Sequence, residues 1–346
     1  MALVFIGGAF TSNPAGRLTD RIGPAAVLGW SLGLFGIAML FAAVAPTAIL
    51  FLVAIAIGGV MYGGVNPPTN VAVAGKMSGR LGFFLSVKQS GVPLGGLLAG
   101  VALPPIAVLA GWRWALAAAA GSCLVVALAT PLMRGVTIAA REDGRHQQRP
   151  PLTRRELAAL GTFGFVMSGT QWSMFAHLSL FLTEERTFSL AAAGLGLALA
   201  QGLGAAARLL WGWLSDLPGR RLAILSVLTA TSVACLAALG GGVQGPGLWL
   251  VLALAGVSIV GWNGAYYALI ADRAGAAGLG RASANALVFI FAGSVVMPPL
   301  LGLLVDLSGS WVPFWTLTAG LVALAGIVLQ IGLRGGHYVS TGASAQ

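Results

Sequence analysis

Eleven runs of apolar residues, each close to the length of a bilayer-crossing helix, fill almost the whole of this 346-residue chain. They fall at about 1–16, 24–45, 47–74, 82–109, 112–133, 157–182, 190–215, 221–241, 247–271, 282–305 and 311–333. A hydrocarbon core of ~30 Å takes ~20 helical residues to cross. In lipid every backbone N–H and C=O must find its partner inside the protein, which leaves helices or closed barrels. The alternating polar and apolar pattern of a barrel strand is absent, so the runs predict an all-α membrane protein with about eleven transmembrane helices. Only 8% of the residues are charged, against ~25% in soluble domains.

The formal charge of +10 raises the question of nucleic acid. Its cations stand singly or in pairs between apolar runs, however, which is how topology markers are distributed. No nucleic-acid partner is expected. Cys123 and Cys235 lie inside apolar runs, and His146, His177 and His337 are far apart. The sequence therefore predicts no disulfide, no metal site and no cofactor.

All basic residues except Arg113, Arg186, Lys88 and Arg208 fall on one side of the predicted spans. The positive-inside bias places that side, and the C-terminus, in the cytoplasm of a bacterial inner membrane. A polar stretch, 134–156, reads as a cytoplasmic linker. It divides an N-terminal bundle of five helices (1–133) from a C-terminal bundle of six (157–333), with a cytoplasmic tail at 334–346.

Two charged knots interrupt the apolar pattern. "GRLTDRIGP" at 16–24 and "GWLSDLPGRR" at 212–221 place Asp20 and Asp216 in similar settings, 196 positions apart (216 − 20). An internal repeat of this kind is a transporter signature. Gly16, Leu18, Asp20, Arg21 and Gly23, with Arg17 between them, resemble the loop motif of the major facilitator superfamily. So do Gly212, Leu214, Ser215, Asp216, Gly219, Arg220 and Arg221. "GWRWAL" at 111–116 is similar to the opening of that family's sixth helix. The resemblance starts within the family's second helix, so a first helix is expected to be missing from this chain. It implies a two-bundle secondary transporter working by alternating access, with the knots as conformational latches. An Asp at a helix start accepts backbone N–H groups, and Arg208, eight residues before Asp216, is expected to join that latch. Without the repeat, each knot would read as a solvated ion pair.

Polar groups inside a span are costly and point to function. Lys88 is the sharpest case, with Gln89 beside it. Two readings stand open: an ammonium turned inward to attract an anion, or one snorkelling to the headgroups. Tyr62, Asn66 and Asn70 follow each other at i, i+4 and i+8, around a helix interrupted by Pro67 and Pro68. In the equivalent helix of the second half stand Trp262, Asn263, Tyr266 and Tyr267. These groups either face each other across a cavity or anchor and pack the helices. Gln171 and His177 lie on helix 157–182, which the resemblance places beside the central cavity. His177 reads either as a proton or substrate group or as an interhelical hydrogen bond near the outer surface. No Asp or Glu stands mid-span.

The expected protein is a monomeric transporter, not an enzyme. It moves a small solute, with Lys88 favouring an organic anion; coupling to a proton or ion and uncoupled transport both stand open. A multidrug or amphipathic-compound exporter is the nearer alternative. A truncated, non-transporting membrane protein is the other.

Overall fold

The computed structural model describes residues 2–76, 81–133, 152–217 and 219–334. Most of the 134–156 linker and nearly all of the 334–346 tail lie outside them. Among the described residues, twelve α-helices run in chain order: α1 (Ala2–Ile22), α2 (Pro24–Val44), α3 (Ala48–Tyr62), α4 (Asn66–Lys76), α5 (Leu81–Ala110) and α6 (Trp112–Ala129). After the linker come α7 (Arg154–Glu184), α8 (Leu190–Ser215), α9 (Arg221–Gly240), α10 (Gly245–Ala255), α11 (Asn263–Ser308) and α12 (Val312–Leu333). No strand occurs among the described residues.

Local chemistry sets the helix starts. Thr47 accepts the Leu50 amide to cap α3, and Ser189 accepts the Ala192 amide to cap α8. Thr153 and Glu156 cap one another's amides at α7 in a capping box, which satisfies two of the four donors a helix start leaves free. Pro24, at the first turn of α2, needs no hydrogen-bond acceptor there and follows Gly23 at φ 91°; only glycine adopts that angle without strain.

Among the described residues, eight stretches are long and apolar enough by themselves to cross a bilayer. Helices α1, α5 and α7, of 21, 30 and 31 residues, are also long enough to cross and bring the passages among the described residues to eleven. Two of the eleven are broken. One runs Ala48–Val73 through α3 and α4, and its break falls at residues 63–65, just before Pro67 and Pro68 rather than at them. The prolines occupy the first turn of α4, where their missing N–H groups cost nothing. The other runs Gly245–Gly275 through α10, a π-helical segment at Gly256–Val260 and a turn into α11. Helix α11 itself continues past the predicted end of that run. It bends at Gly275 (φ 67°, ψ 171°) into a final passage, Arg281–Ser308.

Helices α2, α3 and α6 pack together in the first half, and α7, α11 and α12 in the second. The halves meet through α1 against α11 and α5 against α8. Small residues permit the closest approaches: a Cβ on Gly7 of α1 would lie 2.5 Å from the Gly59 backbone of α3. The most deeply buried large side chains include Phe163, Phe181, Trp262, Tyr266, Tyr267, Phe314 and Trp315, so the densest core lies in the second half.

Candidate functional site

Lys88 does not snorkel. Its ammonium donates to Asn66 Oδ1 at 2.5 Å and to Asn70 Oδ1 at 2.9 Å, both on α4. It also stands 5.8 Å from the centre of the Tyr267 ring on α11. The break before Asn66 makes this arrangement. It starts α4 afresh, with Asn66 and Asn70 one turn apart on the face turned to α5. Gly264 lets α11 come against Ser86, two residues before Lys88 on α5. Gln89 is buried, and its side chain reaches the Tyr267 hydroxyl. No acid lies within ion-pair distance of Lys88 among the described residues, so the charge rests on two neutral amides and a ring face. A Lys near mid-membrane costs about 2.5–3.5 kcal/mol on insertion scales; charge-assisted hydrogen bonds and a cation–π contact offset part of that.

A second polar cluster forms between α7 and the start of α11. Gln171 Oε1 accepts from Trp262 Nε1 and from Asn263 Nδ2, each at 3.2 Å. Tyr266 is turned away from it: the ring stacks on Phe163, and the hydroxyl donates to the Leu160 carbonyl at 2.9 Å. Its role in the structure is packing. Tyr62 joins Phe5, Phe291 and, through Phe5, Trp172 in an aromatic cluster that bridges the two halves, with centroids 5.1–6.2 Å apart. His177 is elsewhere. Its Nδ1 lies 3.1 Å from the Ser173 carbonyl, and its ring packs against Phe314 and Trp311.

The π-helical segment loosens carbonyls that a regular helix would use, and α8 answers them. Arg208 Nε donates to the Val260 carbonyl at 2.8 Å, and Trp211 Nε1 to that of Val257 at 3.1 Å. The other arm of Arg208 crosses to the Gln89 carbonyl on α5 at 2.5 Å. Arg208 is 2% exposed, and its guanidinium is committed to these backbone oxygens rather than to the knot. Irregular backbone deep in a membrane survives only where such partners exist.

The knots place their acids at helix ends, not at the starts of the next helices. Asp20 is in the last turn of α1 and Asp216 closes α8. A negative charge at a helix C-terminus is unfavourable, so each acid gains by reaching another helix. Asp216 Oδ2 accepts the Phe83 amide at 3.0 Å, in the first turn of α5. Asp20 faces the Arg281 charge at the start of the last passage of α11. Partial burial raises the Asp20 carboxyl above its usual range, and Arg281 opposes that shift. Arg221 pairs with Asp272 at 3.1 Å and donates to the carbonyls of Ser215 and Ala268. Arg17, Arg21 and Arg220 stand exposed around these contacts, while Gly16 and Gly212 are buried in α1 and α8.

At the opposite end, Arg113 donates to the carbonyls of Ala43 and Ala45 at the end of α2, and Arg186 to that of Leu239 near the end of α9. The two basic residues that depart from the charge asymmetry therefore serve as C-terminal caps of equivalent helices.

Sequence reasoning overlooked Tyr267 as the ring under Lys88, Phe83 as the partner of Asp216, and the task of Arg208. One signal was available. The triplet Gly64-Val65-Asn66 returns as Gly261-Trp262-Asn263, at nearly the separation of the two knots, and both copies end a break and open a helix.

Two broken passages over buried polar groups, in halves tied by repeated knots, make this a membrane transporter fold. The sequence matches the family model of the Major Facilitator Superfamily over residues 1–290. The chain belongs to that superfamily and is an integral, multi-pass membrane protein. Solved structures share the fold at low identity. The human organic anion transporter MFSD10 superposes with a TM-score of 0.77 at 20% identity, covering 95% of this chain and 82% of that one. The proton:xylose symporter XylE gives 0.70 at 17%, covering 95% and 84%. The E. coli fucose:proton symporter FucP gives 0.69 at 16%, covering 95% and 90%. Comparison with curated protein sequences gives no match.

Proposed function

We propose that this protein is a secondary transporter that carries a small organic anion by alternating access, with Lys88 as the anchor for the anion. The observation that carries the reading is the Lys88 ammonium resting on Asn66 and Asn70 without a carboxylate. An arriving carboxylate or sulfonate would supply the missing counter-charge, while Tyr267 and the Gln171–Asn263 pair offer ring and amide contacts. Structural neighbours include both an organic anion transporter and sugar symporters; the unpaired cation favours the anion. The contacts of Asp216 with α5 and of Asp20 with Arg281 act as latches for this arrangement and break when the halves rock. The basic asymmetry puts the latches on the cytoplasmic side of a bacterial inner membrane, with the N-terminal (1–133) and C-terminal (157–333) bundles as the moving bodies.

A second reading draws on the aromatic cluster of Phe5, Tyr62, Trp172 and Phe291, which suits an exporter of amphipathic compounds. Uptake into everted vesicles separates the two, using a panel of small anions and cationic amphipaths. Lys88→Ala is expected to lower anion transport at least tenfold, the loss of one charge-assisted contact of about 1.5–3 kcal/mol. Amphipath transport indifferent to Lys88 would instead assign the exporter.

A further inference from the structure

We infer that Lys88 also carries the coupling proton, so that one proton crosses with each monovalent anion. The inference rests on the reading of Lys88 as the anion anchor.

The acids among the described residues, Asp20, Glu156, Glu184, Glu185, Asp216, Asp272 and Asp306, all stand near the ends of passages. None of the described carboxylates therefore lies inside a span, where it could carry a proton. Arg208 retains its proton at any physiological pH and is fixed on two carbonyls. His177 is wedged against aromatic rings of the second half alone. Lys88 remains, placed where both halves meet. The helices packed on α5 turn few other groups toward it. From α11 come Tyr267 and, behind it, Tyr266; from α8 come Arg208 and, at the start of α5, Asp216; from α4 come the two asparagines. The charge of α6, Arg113, is spent on carbonyls at the other end.

The amides fit both protonation states of the amine. With Lys88 charged, Asn70 Oδ1 accepts from Nζ, and Asn70 Nδ2, fully buried, has no partner. Loss of the proton gives Nζ a lone pair that needs a donor. Turning the Asn70 amide over supplies Nδ2–H to it. A protein group that must be either donor or acceptor at one place is well served by such an amide.

Charge then sets the coupling. A charged, unaccompanied Lys88 is costly inside the membrane. Two states of the site are neutral overall: the free amine with no substrate, and the ammonium with its anion. If these are the states that change sides, the cycle balances. Water on one side gives a proton to the Nζ lone pair and the anion binds the ammonium. On the other side the anion leaves, then the proton leaves to water, and the empty amine returns.

The test uses the chain reconstituted in proteoliposomes with trapped pyranine. The probes are benzenesulfonate and gluconate, the first ionised at any working pH and both poorly permeant. Wild-type protein is expected to acidify the lumen as the probe enters. An exterior one pH unit more acidic should drive about tenfold accumulation, unchanged by a potassium diffusion potential. Lys88→Arg, permanently charged, should lose both gradient-driven accumulation and lumen acidification, and any probe exchange it retains should not respond to the pH gradient. Probe entry without lumen acidification would overturn the coupling and leave the anion reading intact, as would Lys88→Arg that accumulates like wild type. No transport or binding of either probe would overturn the anion reading and this inference with it. Gel filtration and melting of each variant check folding; where Lys88→Arg fails to fold, the wild-type dye signal decides.

Discussion

Removing the carboxylate of Asp216 should loosen the contact between α8 and α5. The acid closes α8, where its charge opposes the helix dipole, and accepts the Phe83 amide of α5 at 3.0 Å. Losing a side-chain cap costs about 1 kcal/mol, and losing the charge at a helix N-terminus a further ~0.5 kcal/mol. Relief of the dipole conflict in α8 returns about 0.5 kcal/mol of that total. The balance of about 1 kcal/mol means that Asp216→Ala shifts the population away from this arrangement about fivefold. Asp216→Asn keeps an acceptor oxygen and should shift it about twofold or less. Spin labels at Val87 and Leu217, both exposed, would report the distance between the helix ends, with Cys123 and Cys235 replaced by Ala. An unchanged distance distribution in Asp216→Ala would refute the reasoning. So would an equal shift in Asp216→Asn, because the acceptor would then have no weight.

Three further outcomes follow from the same structure. Asn70→Ala leaves Lys88 one acceptor fewer and should cost about 1–3 kcal/mol, read as a lower melting temperature; Asn70→Asp should retain stability by pairing with Lys88 yet abolish anion uptake. Gly256→Ala would push a Cβ into the Ala200 carbonyl of α8, whereas a Cβ at Gly194 meets nothing within 4 Å; melting should fall for the first, by about 1–3 kcal/mol, and stay put for the second. Partial burial raises the Asp20 carboxyl more than the attraction of Arg281 lowers it, so ionisation costs folded stability on balance even though the charge holds Arg281: the group contributes stability below its unfolded pKa and loses it as pH rises through the folded value. The melting advantage of Asp20→Asn over wild type should therefore shrink as pH falls from about 7 to about 4, and a constant or growing advantage would contradict the assignment.

The membrane-spanning helices were legible because lipid tolerates so few polar groups. Apolar length alone marks most passages, and the knots marked the family. The candidates Lys88, Asn66 and Asn70 were legible too, as polar groups where lipid should forbid them. Their meeting was not. Asn66 and Asn70 announce a stripe on one helix, but that α5 aims an ammonium at that stripe depends on how α3 breaks and how closely α11 approaches. Tyr266 and Tyr267 are neighbours in sequence, and only packing decides that one stacks in the core while the other lies under the charge.

The same division holds for the knots. Sequence repeats identify Asp20 and Asp216 as equivalent, and local rules suggest caps for the helices that follow them. The folded chain sends Asp216 to α5, which lies more than a hundred residues earlier. Hydrophobic length, charge asymmetry and helix-start chemistry are local, so the sequence by itself determined the passages and, near Pro67 and Pro68, one of their two breaks within a few residues; the π-helical break at Gly256–Val260 came only with the structure. Which buried donor meets which acceptor depends on the packing of helices distant in the chain. Tertiary structure alone decided that Arg208 holds the π-helical carbonyl and that Lys88 rests on two amides.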